Sequence, residues 1–98
     1  MIKHILFLSF RWYASSEEIE YIKSKFIKIP ELIPGITSVE WRVNNSPEMT
    51  NKSFTHSVEL TFDDELSRYR YLGHPDYEAL KEAFVPFLKD IAVFDYEI

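Results

Sequence analysis

Between Phe54 and Phe62 every second residue is apolar or ring-bearing: Phe54, His56, Val58, Leu60 and Phe62 alternate with Thr55, Ser57, Glu59 and Thr61. A period of two belongs to a strand that buries one face. The same period runs over Ile2–Arg11, where Ile2, His4, Leu6, Leu8 and Phe10 share one side and Lys3, Ile5, Phe7, Ser9 and Arg11 the other. It recurs over Thr37–Asn44, with Val39, Trp41 and Val43 alternating against Ser38, Glu40 and Arg42, and Ile91–Ile98 reads as a fourth strand. Helical spacing fills the two longer gaps. After a capping box with Ser15 as N-cap and Glu18 at N3, a stripe of Ile19, Ile22, Phe26 and Ile29 predicts a helix that Pro30 ends. Asp63-Asp64-Glu65 opens a second helical stretch, with Leu66, Tyr69 and Leu72 three residues apart. Gly73 breaks it, and Pro75 starts another over Pro75–Phe84.

The order β-α-β-β-α-β predicts an α+β, ferredoxin-like fold, a four-stranded antiparallel sheet with its helices on one face. The other face is left bare. Ile5, Phe7, Val39, Trp41 and Val43 are assigned to it, so another surface is expected to cover them. Pro30–Ile36 is apolar for a connection and should pack on the core, whereas Asn44–Asn51 has the polar residues of an exposed loop.

A chain of 98 residues makes one domain spanning 1–98, too small to bury both faces of a sheet unaided. Its net charge of −5 argues against a nucleic-acid partner, which needs clustered Lys and Arg. No apolar run approaches membrane-spanning length, and the N-terminus lacks a signal-peptide pattern. Without cysteine there is neither a disulfide nor a thiolate metal site, and a cytoplasmic protein is the expected reading. The histidines show no metal-ligand spacing, so no metal is expected.

Chemistry is sought where polar groups meet apolar faces. His4 and His56 fall on the helix side with Leu6, Leu8, Val58 and Leu60, where they would form a proton-transfer pair lining a cavity or simply two satisfied core histidines. Tyr71 and Tyr77 flank the helix break, and a phenol such as Tyr71 can donate to a developing oxyanion or merely pack. His74, just before Pro75, suits an N-cap. Arg68, one turn before Tyr71, would hold a carboxylate ligand at a pocket mouth or turn to solvent.

Lys3-His4-Ile5, Ile33-Pro34-Gly35, Thr55-His56, Tyr71-Leu72-Gly73-His74-Pro75 and Phe94-Asp95-Tyr96 occur in order, and together the chain resembles the stress-responsive A/B barrel (Dabb) family. The resemblance implies a homodimer in which two sheets face each other as a dimeric α+β barrel. It also implies, in some members, a cation among backbone carbonyls at the turn matching Pro30–Ile36. In a catalytic member a tyrosine matches Tyr71 and strand histidines match His4 and His56, while the proposed base histidine falls at Tyr77 here. A phenol is a poor base at neutral pH, so that mechanism does not transfer. The expectation is a cofactor-free lyase, cyclase or isomerase acting on a small apolar or acidic metabolite. His4 or His56 would be the base and Tyr71 the donor, in a pocket lined by Leu6, Leu8, Ile22, Phe26, Val58, Leu60, Arg68, Tyr77 and Leu80. The alternative is a non-catalytic stress-response or small-molecule-binding dimer.

Overall fold

The structure, a computed structural model, describes residues 1–48 and 54–98; the Met49–Asn51 part of the expected loop lies outside them. Strand β1 (Ile2–Phe10) is followed by helix α1 (Ser16–Leu32), β2 (Ile36–Val43), β3 (His56–Phe62), α2 (Glu65–Leu72) and α3 (Pro75–Phe84). A 3-10 turn over Val85–Phe87 leads into β4 (Leu88–Glu97). The four strands lie in the order β2-β3-β1-β4, each neighbouring pair antiparallel. This is the ferredoxin-like α+β arrangement.

The helices take the face carrying Ile2, Leu6, Leu8, Val58, Leu60 and Phe62, and Ile22, Phe26 and Ile29 of α1 close over it. The Ser15–Glu18 capping box forms as the sequence dictates. Pro30, however, does not end α1. It sits inside the last turn, and the helix runs on to Leu32, because Ile29 and Ile33 are both buried and the Ile33 N–H donates to the Ile29 carbonyl at 3.0 Å. The connection does pack inward, with Ile33 and Ile36 buried.

The assignment of β2 to the bare face is corrected. Val39 lies opposite Leu60, Trp41 opposite Val58 and Val43 opposite His56, all on the helix side of β3. Directly opposed residues share a face, so these three belong with the core. Trp41 accordingly packs on Phe26, with ring centroids 6.1 Å apart. Polar Ser38, Glu40 and Arg42 take the bare face instead, where Arg42 pairs with Glu40 and both Arg42 and Lys3 reach Glu59 at 3.7 Å. Within the strands, apolar surface on that face lies on β1 and β4, where Ile5 opposes Phe94 and Phe7 opposes Ala92; Phe54, expected beside His56, precedes β3 and packs instead near Phe7, with ring centroids 6.4 Å apart.

Gly35 fixes how α2 meets the sheet. It adopts φ of 90°, and a Cβ there would lie 2.3 Å from Ser67 Oγ and 2.5 Å from Ser67 Cβ. Ser67 cannot step aside, because its N–H and hydroxyl both donate to Asp64 Oδ1 at 2.8 Å. Gly35→Ala should therefore cost about 2–4 kcal/mol, combining left-handed strain with overpacking. Thermal unfolding should show Tm lowered by about 10–20 °C.

Candidate functional site

His4 is placed by β1 on the helix side of the sheet, and the β1–β4 register sets Asp95 directly opposite it. Its Nδ1–H donates to Asp95 Oδ1 at 2.7 Å, and Arg68 Nη1–H donates to the other carboxylate oxygen at 3.2 Å. An ionised carboxylate can only accept, so Nδ1 carries the proton and the lone pair of the neutral ring sits on Nε2. Asp95 does not stand out in the sequence as a site residue. Its signal was the Phe94-Asp95-Tyr96 segment, readable only once the β1–β4 register is known. Arg68 is partly exposed and steadies Asp95.

Tyr71 projects from α2 into the same interior and is fully buried. Its ring lies 6.0 Å from that of His4 at 68°, 5.2 Å from Phe62 and 4.2 Å from Tyr77. Among the described residues, the buried His4 Nε2 and Tyr71 hydroxyl have no hydrogen-bond partner. Tyr77 stands close enough to influence the Tyr71 hydroxyl, though without hydrogen-bond geometry to it. Leaving such a group unpaired costs about 1–3 kcal/mol. One lone pair and one donor thus lie in the same apolar cluster, on rings 6.0 Å apart.

Burial first, and then the neighbouring Tyr77 phenol, pushes the Tyr71 pKa far above the ordinary tyrosine range. Burial also raises Tyr77, partly offset by the Lys81 ammonium 4.8 Å over its ring. Neither phenol can serve as a base near neutrality. In the unfolded chain a tyrosine ionises near pH 10. With the folded pKa raised, the stabilisation from keeping Tyr71 neutral is complete below about pH 10 and is lost as pH rises above it. An alkaline titration should show a fraction of the phenolate absorbance that appears only with unfolding, beyond that of the exposed tyrosines, and Tyr71→Phe should remove part of that fraction.

His56 lies on the same sheet face but not in the same place. His4 opposes Leu60 and His56 opposes Leu8, so the two histidines are separated by four positions along β3, about 13 Å at the usual rise. They form no proton-transfer pair. Nδ1 of His56 bonds to Thr55 Oγ1 at 2.7 Å, and its ring packs between Phe10 and Trp41. Burial lowers its pKa, so its neutral state is favoured by folding.

Of the remaining lining positions expected from sequence, Leu6, Leu8, Ile22, Phe26, Val58, Leu60 and Leu80 are buried in one continuous core, and Tyr77 packs against its edge. His74 acts as the N-cap of α3, its Nδ1 accepting from the Asp76 N–H at 3.1 Å. Among the described residues no group of three or more His, Cys, Asp or Glu side chains is placed to hold a metal ion. Among the described residues, no helix is long and apolar enough to cross a membrane.

This chain is 28% identical over 96 residues to the stress-response A/B barrel domain-containing protein HS1 of Arabidopsis thaliana, covering 98% of this chain and 88% of that protein. It is 23% identical over 95 residues to olivetolic acid cyclase of Cannabis sativa, covering 97% and 94%. Among solved structures, the hydroxynitrile lyase of Passiflora edulis superposes with a TM-score of 0.91 at 22% identity, covering 99% and 92%. A dimeric ferredoxin-like protein from Thermobifida fusca superposes at 0.84 with 21% identity, covering 99% and 90%. The sequence model of one family matches residues 2–98, nearly the whole chain. The chain belongs to the stress responsive A/B barrel domain family, Dabb.

Proposed function

We propose that the protein is a homodimer whose subunits each bind a small apolar or acidic carbonyl metabolite against His4 and Tyr71, and catalyse a cofactor-free lyase, cyclase or isomerase reaction there. The observation that carries this reading is the pair of buried, unpartnered groups, His4 Nε2 and the Tyr71 hydroxyl, with Asp95 fixing the histidine tautomer. His4 Nε2 takes a proton from carbon α to the carbonyl, or from the hydroxyl of an adduct. The electron pair so released passes to the carbonyl oxygen or expels the leaving group. Tyr71 donates its hydrogen bond to the oxygen that gains or sheds charge, and the Asp95 carboxylate stabilises the imidazolium until the proton is returned. Relatives named as a cyclase and a lyase support the class of reaction.

The rival reading, a non-catalytic binding or stress-response dimer, has its own support. Leu6, Leu8, Val58 and Leu60 are fully buried, and a cleft of about 750 Å³ lies against Pro34 and Gly73 and not against His4 or Tyr71. Solvent deuterium exchange into small ketones and aldehydes, followed by proton NMR, separates the two. Wild-type protein should accelerate exchange at the α carbon, and Tyr71→Phe should slow it about 10²–10³-fold, the usual cost of a lost oxyanion donor. No acceleration by the wild type across such a panel would leave the binding reading standing.

A further inference from the structure

Arg68 stands one turn before Tyr71 on α2, so a single helix brings both a cation and a hydrogen-bond donor to the neighbourhood of His4. The charge of Arg68 is balanced where it stands. Its Nη1–H donates to Asp95 Oδ2 at 3.2 Å, and the other oxygen of that carboxylate accepts from His4 Nδ1–H at 2.7 Å. Both oxygens of Asp95 are therefore engaged. With the His4 ring neutral, the three side chains together carry no net charge. The nearest charges on α3 cancel in the same way, since Lys81 Nζ, 4.8 Å over the Tyr77 ring, lies 2.9 Å from Glu78 Oε1.

A balanced ion pair beside an apolar cluster discriminates by charge. An anion drawn to Arg68 meets the Asp95 carboxylate bonded to it, and a cation drawn to Asp95 meets the guanidinium. Further in, the rings of Phe62 and Tyr71 lie edge-on to His4 at 6.1 and 6.0 Å, with Tyr77 against Tyr71 at 4.2 Å. These rings supply no charge to offset that of an ionised ligand, and an ion without a partner is costly in such surroundings. Burial already imposes this penalty on the Tyr71 phenol, whose ionisation it suppresses.

The two buried, unpartnered groups set a second condition. Nε2 of the Nδ1–H tautomer offers a lone pair, and the Tyr71 hydroxyl offers a proton. A carboxylate only accepts, so it would satisfy Tyr71 but turn its own lone pairs on Nε2. An ammonium only donates, so it would satisfy Nε2 but leave the Tyr71 proton without an acceptor. An uncharged group that donates and accepts, such as a primary amide, an enol or a hydroxy-carbonyl, matches both.

We propose that Arg68, by balancing Asp95, makes the His4 site selective for uncharged ligands that carry a donor and an acceptor together, against carboxylates and amines. The inference narrows the ligand class proposed above and rests on binding at His4 and Tyr71, not on turnover. Butyramide, butyrate and butylamine test it at neutral pH, each titrated into the full chain and followed on the His4 ring ¹⁵N resonances. Wild-type protein should bind butyramide about tenfold or more tighter than either ion. Arg68→Gln leaves Asp95 unbalanced and should raise the butylamine affinity by about tenfold. Asp95→Asn leaves Arg68 unbalanced, makes Nε2–H a donor, and should raise the butyrate affinity by a similar factor. Arg68→Lys keeps the charge and should keep the wild-type order, whereas a purely structural Arg68 would alter all three affinities alike. Three results would overturn the assignment: a wild-type preference for either ion, variants that do not shift the order in opposite directions, or no binding of any probe at millimolar concentration. Butyramide binding without α-deuterium exchange into any ketone or aldehyde would reject the reaction and uphold the selectivity. Exchange accompanied by a preference for butyrate would reject the selectivity and uphold the reaction.

Discussion

Asp95→Asn is expected to slow proton abstraction at His4 by about 10³–10⁴-fold while leaving the fold intact. The carboxylate holds the ring through Nδ1 at 2.7 Å and is itself held by Arg68 at 3.2 Å. An amide of the same shape can turn its NH2 group towards Nδ1. The ring then answers by moving its proton to Nε2, which leaves no lone pair where a substrate proton must go. Replacing the orienting aspartate of a catalytic histidine has an effect of this size in hydrolytic triads, for the same reason of tautomer. Loss of the negative charge would also remove the stabilisation of the imidazolium formed in the proposed reaction. Long-range ¹H–¹⁵N correlation spectra of the His4 ring read the tautomer directly and need no substrate. Wild-type protein should show Nδ1 protonated and Asp95→Asn should shift the population towards Nε2–H. An unchanged ring tautomer in the variant would mean that Asp95 does not set it, and the base assigned to His4 would lose its support.

Strand periodicity made most of the architecture legible. The alternation over Phe54–Phe62 and Ile2–Arg11 placed His4 and His56 on the helix side, where both rings are found. Alternation sorts residues into two sets, however, without saying which set faces the helices. For β2 the choice is made by cross-strand neighbours. Trp41 follows Val58 into the core, and Glu40 and Arg42 find their partners beside Glu59 on the open face. The site was legible only in part for a related reason. His4 and Tyr71 stand out as polar groups in apolar surroundings, but Asp95 and Arg68 matter only through a register that pairs residues 91 positions apart. Local spacing could not join His4 to Asp95, nor show that His4 and His56 stand too far apart to exchange a proton. The stripe of Leu66, Tyr69 and Leu72 misled in the opposite direction. Its period correctly marked a helix, yet the buried side is the one carrying Ser67 and Tyr71, because Gly35 lets that side approach the sheet closely.

Phe94→Asp should convert the protein from a dimer to a soluble monomer. On the open face of the sheet, Ile5 lies opposite Phe94 and Lys3 opposite Tyr96, and Phe7 continues the apolar strip along β1. Phe94 is 59% exposed and Tyr96 41% in the single subunit, too much aromatic surface for a sheet face to leave in water. The charged half of that face, Lys3, Glu40, Arg42 and Glu59, is already paired within the chain, so association draws on the β1–β4 half. In a two-fold dimer each residue is used twice. Losing two buried phenylalanines, at about 1.5–3 kcal/mol each, and confronting the interface with two unpaired carboxylates should raise Kd at least ~10³-fold. Sedimentation equilibrium at micromolar concentration should give wild-type protein a mass twice the 11.7 kDa of one chain, and Phe94→Asp a mass of 11.7 kDa. Its circular dichroism should match that of the wild type, since Phe94 is 59% exposed within its own subunit and lies outside the core. Trp41→Asp supplies the contrast. That ring packs between Phe26 and His56 beneath the helices, so the variant should lose thermal stability and aggregate instead of yielding a folded monomer. A wild-type mass of 11.7 kDa would reject the dimer, and an unaltered dimer in Phe94→Asp would move the interface to another surface.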